Sequence, residues 1–509
     1  MIAAPVPVGH DASASRETRL RLTGKQHHTL RAHLFPGDGK EAVALALCGR
    51  ALGPLAEPSP EPRTAREILV VHRIVPVPYK DCSVRTPDRV TWSTALLPPL
   101  LLEAAKKGMA VLKIHSHPGD YRAFSSVDDD ADRELFPSID AWVDDRHEHA
   151  SAVMLPDGRI FARLINGEGA FSPITAVSIA GDDLNFWYAD EFGEPRKKEV
   201  EPQSPQFLNV PDFALRTAQA FGEGTVQRLG RLSVAVIGAS GTGSPIVEML
   251  ARLGVDELVN VDDDVVERKN LNRILNATDD DARKKTPKVT VLARAVRAMG
   301  LGTRYIPIVR SLWDADVVRL VSQCDVVFGC MDTKDGRDLL NRLAAYYNIP
   351  YFDVGVRLDA DGYGGVEQIC GTVNYLQPDG SSLVSRGAIT RDDIRAASLR
   401  RTDRKAYDAQ VQQKYLRGVQ EDRPAVISVN MLYASLAVNE FLARLHHFRD
   451  DPNSEFASFG MSLTQVRLIQ DHDGEPCPAL ATRVGRGDVR PLLGIPELSV
   501  VTASSAQAQ

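Results

Sequence analysis

The sequence predicts an α/β protein in two parts. An N-terminal α/β domain comes first, followed by a Rossmann-like doubly wound domain with a small β-rich C-terminal tail. Three observations predict this. Between 27 and 190, short β-like apolar runs alternate with helical stretches. From 212 the pattern becomes strand, glycine-rich turn, helix, strand, in VAVIGASGTGSPIVEMLARLGV and then DELVNVDDD, the signature of a parallel doubly wound sheet. Between the two lies EFGEPRKKEVEPQSPQF, rich in charge and proline and without periodicity, which reads as a linker over 191–211. A chain of 509 residues is also long for a single core.

Taken in order, residues 1–26 are read as a disordered N-terminus, because the stretch opens with small and polar residues. The domain over 27–190 contains the β-like or helical runs EAVALALCG, REILVVHRIVPV, TALLPPLLLEAAKKG, AVLKIHSH, ASAVMLP and GRIFARLI. The second domain covers 212–450 and is interrupted at 381–422 by a long, strongly charged insertion. AVISVNMLYASLAVNEFLARL then predicts a long apolar helix. The tail, 451–509, is expected to be β-rich and to end in a disordered ASSAQAQ. There are no internal repeats.

Composition narrows the function. A net charge of −7 leaves no electrostatic footprint for nucleic acid or an anionic membrane. No apolar run approaches the ~20 residues that span a bilayer. The N-terminus lacks a basic region followed by an apolar core, so no signal peptide is expected. Six scattered cysteines, none in a C-x-x-C pair, read as buried thiols of a cytoplasmic protein.

The stretch HSHPGDYRAFSSVDDDAD carries the first candidate site. VLKI before it is β-like, and alternation along a strand puts His115 and His117 on one face. Two imidazoles on one face begin a zinc site, and Asp128 on the following helix is a candidate third ligand. Taken alone, Ser-Ser-Val-Asp-Asp-Asp is equally a capped helix start with acids favoured by the dipole. Asp129 and Asp130 read as solvated first-turn acids.

With a glutamate upstream, then H-x-H-P, then S-x-x-D, residues 27–190 resemble the JAB/MPN metalloprotease family, whose members include deubiquitinases. The resemblance implies that His115, His117 and Asp128 hold zinc. It further implies that Glu41 is the general base acting on a zinc-bound water and that Ser125 donates to the developing oxyanion. Glu57, Glu61 and Glu67 also lie upstream and compete with Glu41 for the role.

The second candidate site begins at the glycine-rich turn. Gly238, Gly241 and Gly243 let the backbone approach a phosphate at a helix N-terminus, for a nicotinamide dinucleotide as readily as for ATP. In VDDDVVERKNLNR, Asp262 stands at a strand end, where a ribose hydroxyl would bind. Asn270, Arg273 and Lys288 follow, and such a cluster of donors suits a triphosphate better than a dinucleotide. Asp332, at another strand end in CDVVFGCMDTKDGRDLLN, is a natural magnesium ligand.

These motifs, in this order over 212–450, resemble the ThiF/MoeB and ubiquitin-activating-enzyme superfamily, which adenylates the C-terminal glycine of a ubiquitin-like protein, or of a peptide, with ATP. The resemblance implies that Gly238, Gly241 and Gly243 face the nucleotide and that Asp262 binds its ribose. Asn270, Arg273 and Lys288 would hold the phosphates, and Asp332 would bind Mg2+. Arg216 aligns with an arginine that family dimers lend across their interface, so a homodimer is expected; a solvated helix arginine is an equal reading of that residue.

The chain departs from the family in two places. Ser240-Gly241 replaces a glycine pair, and the crossover segment from about 377 to 425 has no cysteine. Cys477, in EPCPAL, has no partner for a zinc ribbon and is only a weak nucleophile candidate; Cys324, Cys330 and Cys370 are weaker still.

The reading that follows is bifunctional. A zinc-dependent processing protease or isopeptidase would expose or release the terminal glycine of a ubiquitin-like protein, and the second domain would activate it with ATP for a conjugating enzyme. The alternative is adenylation of a small peptide or sulfur-carrier protein without thioester transfer, with the protease processing the carrier. A silent scaffold that binds a ubiquitin-like partner is a third reading.

Overall fold

The computed structural model describes residues 17–54, 66–119, 121–144, 147–193, 210–413 and 424–499. The first domain runs β1 (Glu17–Thr23), α1 (Gly24–Leu34), β2 (Val43–Ala51), β3 (Arg66–Pro76), β4 (Cys82–Thr86), β5 (Arg89–Trp92), α2 (Leu97–Lys107), β6 (Ala110–Ser116) and α3 (Ser126–Val143). It continues with β7 (His149–Met154), β8 (Ile160–Ile165), β9 (Phe171–Pro173), β10 (Ala176–Ala180) and β11 (Leu184–Tyr188). Among the described residues, one mixed sheet has the order β11-β10-β1-β3-β2-β6-β7-β8-β9, and β4 and β5 form a separate hairpin.

β2 shows why this sheet is a middle layer. Its sequence, VALALCGRA, is apolar on both faces except for Arg50, and buried throughout. Ala44, Ala46 and Cys48 join Leu30 and Leu34 of α1 in one cluster. Val43, Leu45 and Leu47 join Leu97, Leu100 and Leu101 of α2 and Phe136 and Ile139 of α3 in another, as the period of two requires.

The second domain runs α4 (Leu215–Phe221), α5 (Glu223–Leu229), β12 (Ser233–Ile237), α6 (Gly243–Arg252), β13 (Glu257–Val261), α7 (Asp279–Lys284), α8 (Lys288–Met299), β14 (Arg304–Ile308), α9 (Ala315–Ser322), β15 (Val326–Gly329), α10 (Lys334–Tyr347) and β16 (Tyr351–Ala360). After these come β17 (Val366–Leu376), α11 (Arg391–Thr402), α12 (Arg404–Gln412), α13 (Ile427–Leu445), β18 (Ser458–Ser462) and β19 (Arg467–Asp471). The strand order is β14-β13-β12-β15-β16-β17-β18-β19. β14 through β16 are parallel and the remainder is antiparallel. The order reverses between β12 and β15, so the crevice at their carboxyl ends is the topological switch point where such sheets bind ligands.

Several boundaries differ from the sequence expectation. The expected disordered N-terminus, 1–26, overlaps β1 and α1; residues 1–16 lie outside the described residues. β1 pairs with both β3 and β10 inside the sheet. Its arginines concealed it. Leu20 and Leu22 enter the core, while Arg19 and Arg21, buried on the other face, are neutralised across the domain boundary. Arg19 Nη1 lies 2.5 Å from Asp325 Oδ1, and Arg21 donates to the carbonyls of Ser322 at 2.9 Å and Cys324 at 2.8 Å.

The C-terminal segment is not a separate tail. β18 and β19 extend the main sheet, and residues 472–499 return in irregular turns between the domains. Gly49 N–H donates to Gly485 O at 3.2 Å, Gly485 N–H to Ala345 O at 2.9 Å, and Asp488 N–H to Arg50 O at 2.7 Å. The two domains also share cores. Leu184 and Phe186 pack with Leu229 and Val234, and Ile68 and Val70 pack with Leu343 and Tyr347. Most of the expected linker, 194–209, and the ASSAQAQ end lie outside the described residues. Among the described residues no helix is long and apolar enough to cross a membrane.

Candidate active sites

The first site is assembled by one strand pair and one helix start. Val43 of β2 faces His115 of β6 in antiparallel register. The pairing continues past the strand end, with Ser116 N–H donating to Ala42 O at 3.0 Å, which puts Glu41 opposite His117. Residues opposite each other in such a pair share a face, so the register brings Glu41, His115 and His117 together. Their ligand atoms lie within 4.8 Å of one another. The competing Glu67 is committed to Arg50 at 3.3 Å, while Glu57 and Glu61 lie outside the described residues.

Asp128 arrives by helix capping. Ser125 is the N-cap of α3, its Oγ accepting from Asp128 N–H at 3.2 Å while Asp128 Oδ2 accepts from Ser125 N–H at 2.7 Å. Such a reciprocal cap stabilises a helix by about 1 kcal/mol. It also aims Asp128 Oδ1 at His115 Nε2, 2.9 Å away, with Oδ2 3.4 Å from His117 Nε2. Capping and ligand placement are therefore one arrangement. Ser125 Oγ lies 2.7 Å from Asp128 Oδ2, a bond it must leave to serve an oxyanion.

The electrostatics follow from burial. Burial pushes the Glu41 carboxyl up to about 7. Burial would also raise Asp128, but hydrogen bonds from His115 and His117 prevail and hold it far below the usual carboxylate range. Burial lowers His115; on His117 it is outweighed by the bond to Asp128, and the ring is raised. Asp129, expected to be solvated, instead holds Arg163 at 2.5 Å, because that guanidinium is sandwiched between the rings of Phe124 and Phe171 and needs counter-charges. Arg163 also bonds Asp132 at 2.6 Å, and Lys113 bonds the same buried carboxylate. Asp130 stays exposed, as expected. A cleft of about 340 Å³ lined by Phe124, Phe161, Phe171, Phe192 and Arg163 adjoins the site, with Phe161 6.5 Å from the His117 ring.

The donor set fits a metal ion. His117 Nδ1 lies 3.0 Å from the carbonyl of Tyr121, which accepts only from a protonated nitrogen. In the neutral ring Nε2 is then bare and faces His115 Nε2 at 3.2 Å. Two nitrogens and a carboxylate spaced 2.9–3.4 Å apart match the edge of a tetrahedron with metal–ligand bonds of about 2.0 Å, roughly 3.3 Å.

The second site lies at the switch point. Gly238 has φ +102°, which favours glycine, and a Cβ there would lie 2.8 Å from Cys330 O. A Cβ on Gly243 would meet Gly238 O at 1.9 Å, and one on Gly241 would meet Asn430 Nδ2 at 2.3 Å. All three glycines are required by packing within the protein. The turn's N–H groups form the free surface: those of Ser240, Gly241 and Thr242 donate to no acceptor among the described residues, which makes a nest for an anion.

Asp262, at the end of β13, accepts from Ala239 N–H at 2.7 Å and lies 3.6 Å from Lys288 Nζ. Burial raises its carboxyl while Lys288 opposes the rise. Lys288 also pairs with Asp264 at 2.6 Å. Asn270 is buried with Oδ1 accepting from Glu267 N–H at 3.0 Å, so this oxygen shapes the turn rather than facing a phosphate. Arg273 is half-buried, held by Lys269 O at 2.9 Å. Asp332 is exposed just past β15, and Arg216 is exposed on α4.

Cys477, read as lying in a polar, proline-flanked loop, is buried: its N–H donates to Gly380 O at 3.0 Å and its Sγ lies 3.1 Å from Ser382 Oγ. Burial pushes the Cys330 thiol up to about 12. Sequence reasoning passed over Lys113, Asp132 and Arg163 under the first site and Asn430 beside the second. The last left a signal: an asparagine in the first turn of a largely apolar helix.

Comparison with known proteins bears on the second domain. Residues 214–478, just over half of the chain, match the ThiF family. The chain is 36% identical over 153 residues to the SAMP-activating enzyme E1 of Haloferax volcanii, covering 30% of this chain and 52% of that protein. It is 27% identical over 125 residues to the sulfur carrier protein ThiS adenylyltransferase of Bacillus subtilis, covering 25% and 37%. The chain thus spans about half, or less, of the length of these relatives. Superposition on E. coli MccB crystallised with ATP covers 54% of this chain and 74% of that one, at 17% identity and a TM-score of 0.42. The match over 214–478, together with the glycine-rich turn and the Asp262–Lys288 pair at the switch point, shows that the chain belongs to the ThiF family.

Proposed function

We propose that the second domain adenylates, with ATP and Mg2+, the C-terminal glycine of a ubiquitin-like or sulfur-carrier protein. The observation that carries this reading is the set of groups at the switch point: free turn N–H groups, the Asp262–Lys288 pair, and Arg273. These residues place and neutralise a triphosphate while a carboxylate attacks its α-phosphate. Lys288 and Arg273 hold the phosphates, Asp262 the ribose, and Asp332 the magnesium. The test is ATP–pyrophosphate exchange dependent on a protein ending in glycine and lost in Asp332→Ala; exchange with small peptides alone would favour a peptide-modifying enzyme.

The first domain is read as a JAB/MPN-type zinc protease that exposes or releases the same terminus. His115, His117 and Asp128 would hold the ion. When bound, zinc supplies a water acidified towards neutrality. Glu41, buried opposite His117, holds and moves a proton at its carboxylate. The Arg163–Asp132–Lys113 network keeps α3, and so Asp128, in place. Measured zinc content and cleavage of a ubiquitin-like precursor, both lost in His117→Ala, test this half; retained zinc in that variant counts against the ligand set.

One observation favours activation without thioester transfer. The crossover segment lacks cysteine, Cys477 is buried on Ser382, and Cys330 is half-buried with its thiol pushed up to about 12. The reading as a whole is a cytoplasmic protein, dimeric through its second domain, that passes its activated product to a conjugating enzyme or a sulfur-transfer step.

A further inference from the structure

We propose that Asn430 is a ligand for the nucleotide's phosphate, brought to the glycine-rich turn by the first turn of α13. This rests on the adenylation reading and adds to it a residue from an element far along the chain from the motifs that define the site.

Asn430 is only 6% exposed, and its side-chain amide makes no hydrogen bond to any described residue. Burying an amide without a partner is costly, so buried amides are normally paired. Yet neither amide atom is sealed off from solvent. The group therefore sits in the wall of an open space with its hydrogen-bonding capacity unused.

That space is the nucleotide turn. A Cβ on Gly241 would lie 2.3 Å from Asn430 Nδ2 and 3.2 Å from Arg273 Cδ, so the amide is set between the turn and the stem of Arg273. Two bonds fix the approach. Asn272 Nδ2 donates to Ala425 O at 3.0 Å, tying the entrance of α13 to the Asn270–Arg273 turn. Asn430 N–H donates to Val426 O at 3.1 Å, placing the side chain in the helix's opening turn. Val426, the N-cap, provides no side-chain acceptor, so the positive end of a 19-residue helix adds to the same field.

The groups lining this turn are donors: the N–H groups of Ser240, Gly241 and Thr242 and the Asn430 amide, with the stem of Arg273 alongside. The several oxygens of a phosphate can accept from donors of this kind. A neutral amide presents its NH2 to such an oxygen without adding charge, since O and N exchange by a rotation of about 180°.

The test uses the full chain and ATP with Mg2+, followed by calorimetric titration, alongside melting of the unliganded protein. Asn430→Ala should weaken ATP binding roughly tenfold or more, the loss of one hydrogen bond to a charged group. Asn430→Asp keeps the shape that packs against Gly241 but sets a carboxylate against phosphate, so it should bind more weakly than Asn430→Ala. The unliganded melting temperature should stay at the wild-type value in the aspartate variant. If Asn430→Ala binds ATP as the wild type does, the inference is overturned and the adenylation reading stands. If the alanine variant is the weaker of the two, the residue only packs and the inference is likewise overturned. If the wild type itself binds no ATP, the adenylation reading fails first.

Discussion

Arg19 Nη1 lies 2.5 Å from Asp325 Oδ1, joining a strand of the first domain to the loop that enters β15 of the second. Both side chains are buried, and Arg21, equally buried, stands 4.0 Å from the same carboxylate. Asp325 thus faces two guanidiniums inside the domain boundary, and Glu17 shares Arg19 at 2.8 Å.

Removing that acid leaves Arg21 buried with no carboxylate beside it among the described residues, and Arg19 with Glu17 alone. Asp325→Ala should cost about 3–5 kcal/mol and lower the calorimetric melting temperature of both domains together. The pH dependence follows from the sign of the shift. Burial raises the Asp325 carboxyl, but Arg19 and Arg21 outweigh it and the folded-state value is lowered. The pair therefore stabilises fully above the unfolded value of about 3.9 and loses its effect as pH falls through the folded value. Melting temperatures below about pH 4 should drop less steeply in Asp325→Asn than in the wild type.

Gly485 should be irreplaceable for a different reason. Its φ is +67°, and a Cβ would lie 2.0 Å from Val71 O, a backbone atom that cannot yield. Gly485→Ala should cost roughly 3 kcal/mol or more and loosen the C-terminal segment from β2 and α10. Limited proteolysis should then cut after 472, where the wild type resists; equal resistance would show that the segment does not clamp the domains.

In the first domain, metal binding and proton transfer should separate. Glu41→Gln should keep its zinc, measured by atomic absorption, while cleavage falls roughly 10²–10⁴-fold. Asp128→Ala should lose the zinc and also about 1 kcal/mol of stability, because the same carboxylate caps α3. An Asp128→Ala protein of unchanged stability would contradict the double role.

Thiol chemistry should be silent at neutral pH. Burial pushes Cys48 and Cys330 up to about 12, so iodoacetamide at pH 8 should label neither in the folded protein. A non-reducing gel after incubation with ATP and a glycine-terminated partner should show no thioester band. A band lost in Cys477→Ala would mean that the C-terminal segment opens during turnover.

Much of both sites was legible because it is local. The H-x-H spacing on a strand and the S-x-x-D of a capping box depend on periods of two and 3.6, which the chain carries in its own order. The glycine-rich turn and Asp262 are likewise written within one β-α-β unit. Less was legible where charge overrode pattern. RETRLRLT reads as a polar leader until Asp325, 306 residues away from Arg19, makes its arginines buriable.

By itself, the sequence determined the two α/β domains, the order of the nucleotide motifs, and the H-x-H and S-x-x-D placements of the first centre. Those depend on neighbours within a strand, a turn or a helix start. Only the tertiary structure decided that Glu41 is the glutamate beside His117, through the β2–β6 register, and that Asn430 stands against Gly241. It alone decided that the domains share cores and are pinned by a returning C-terminal segment. Those outcomes depend on which distant groups neutralise, pair with or exclude one another, and that depends on three-dimensional proximity rather than on spacing along the chain.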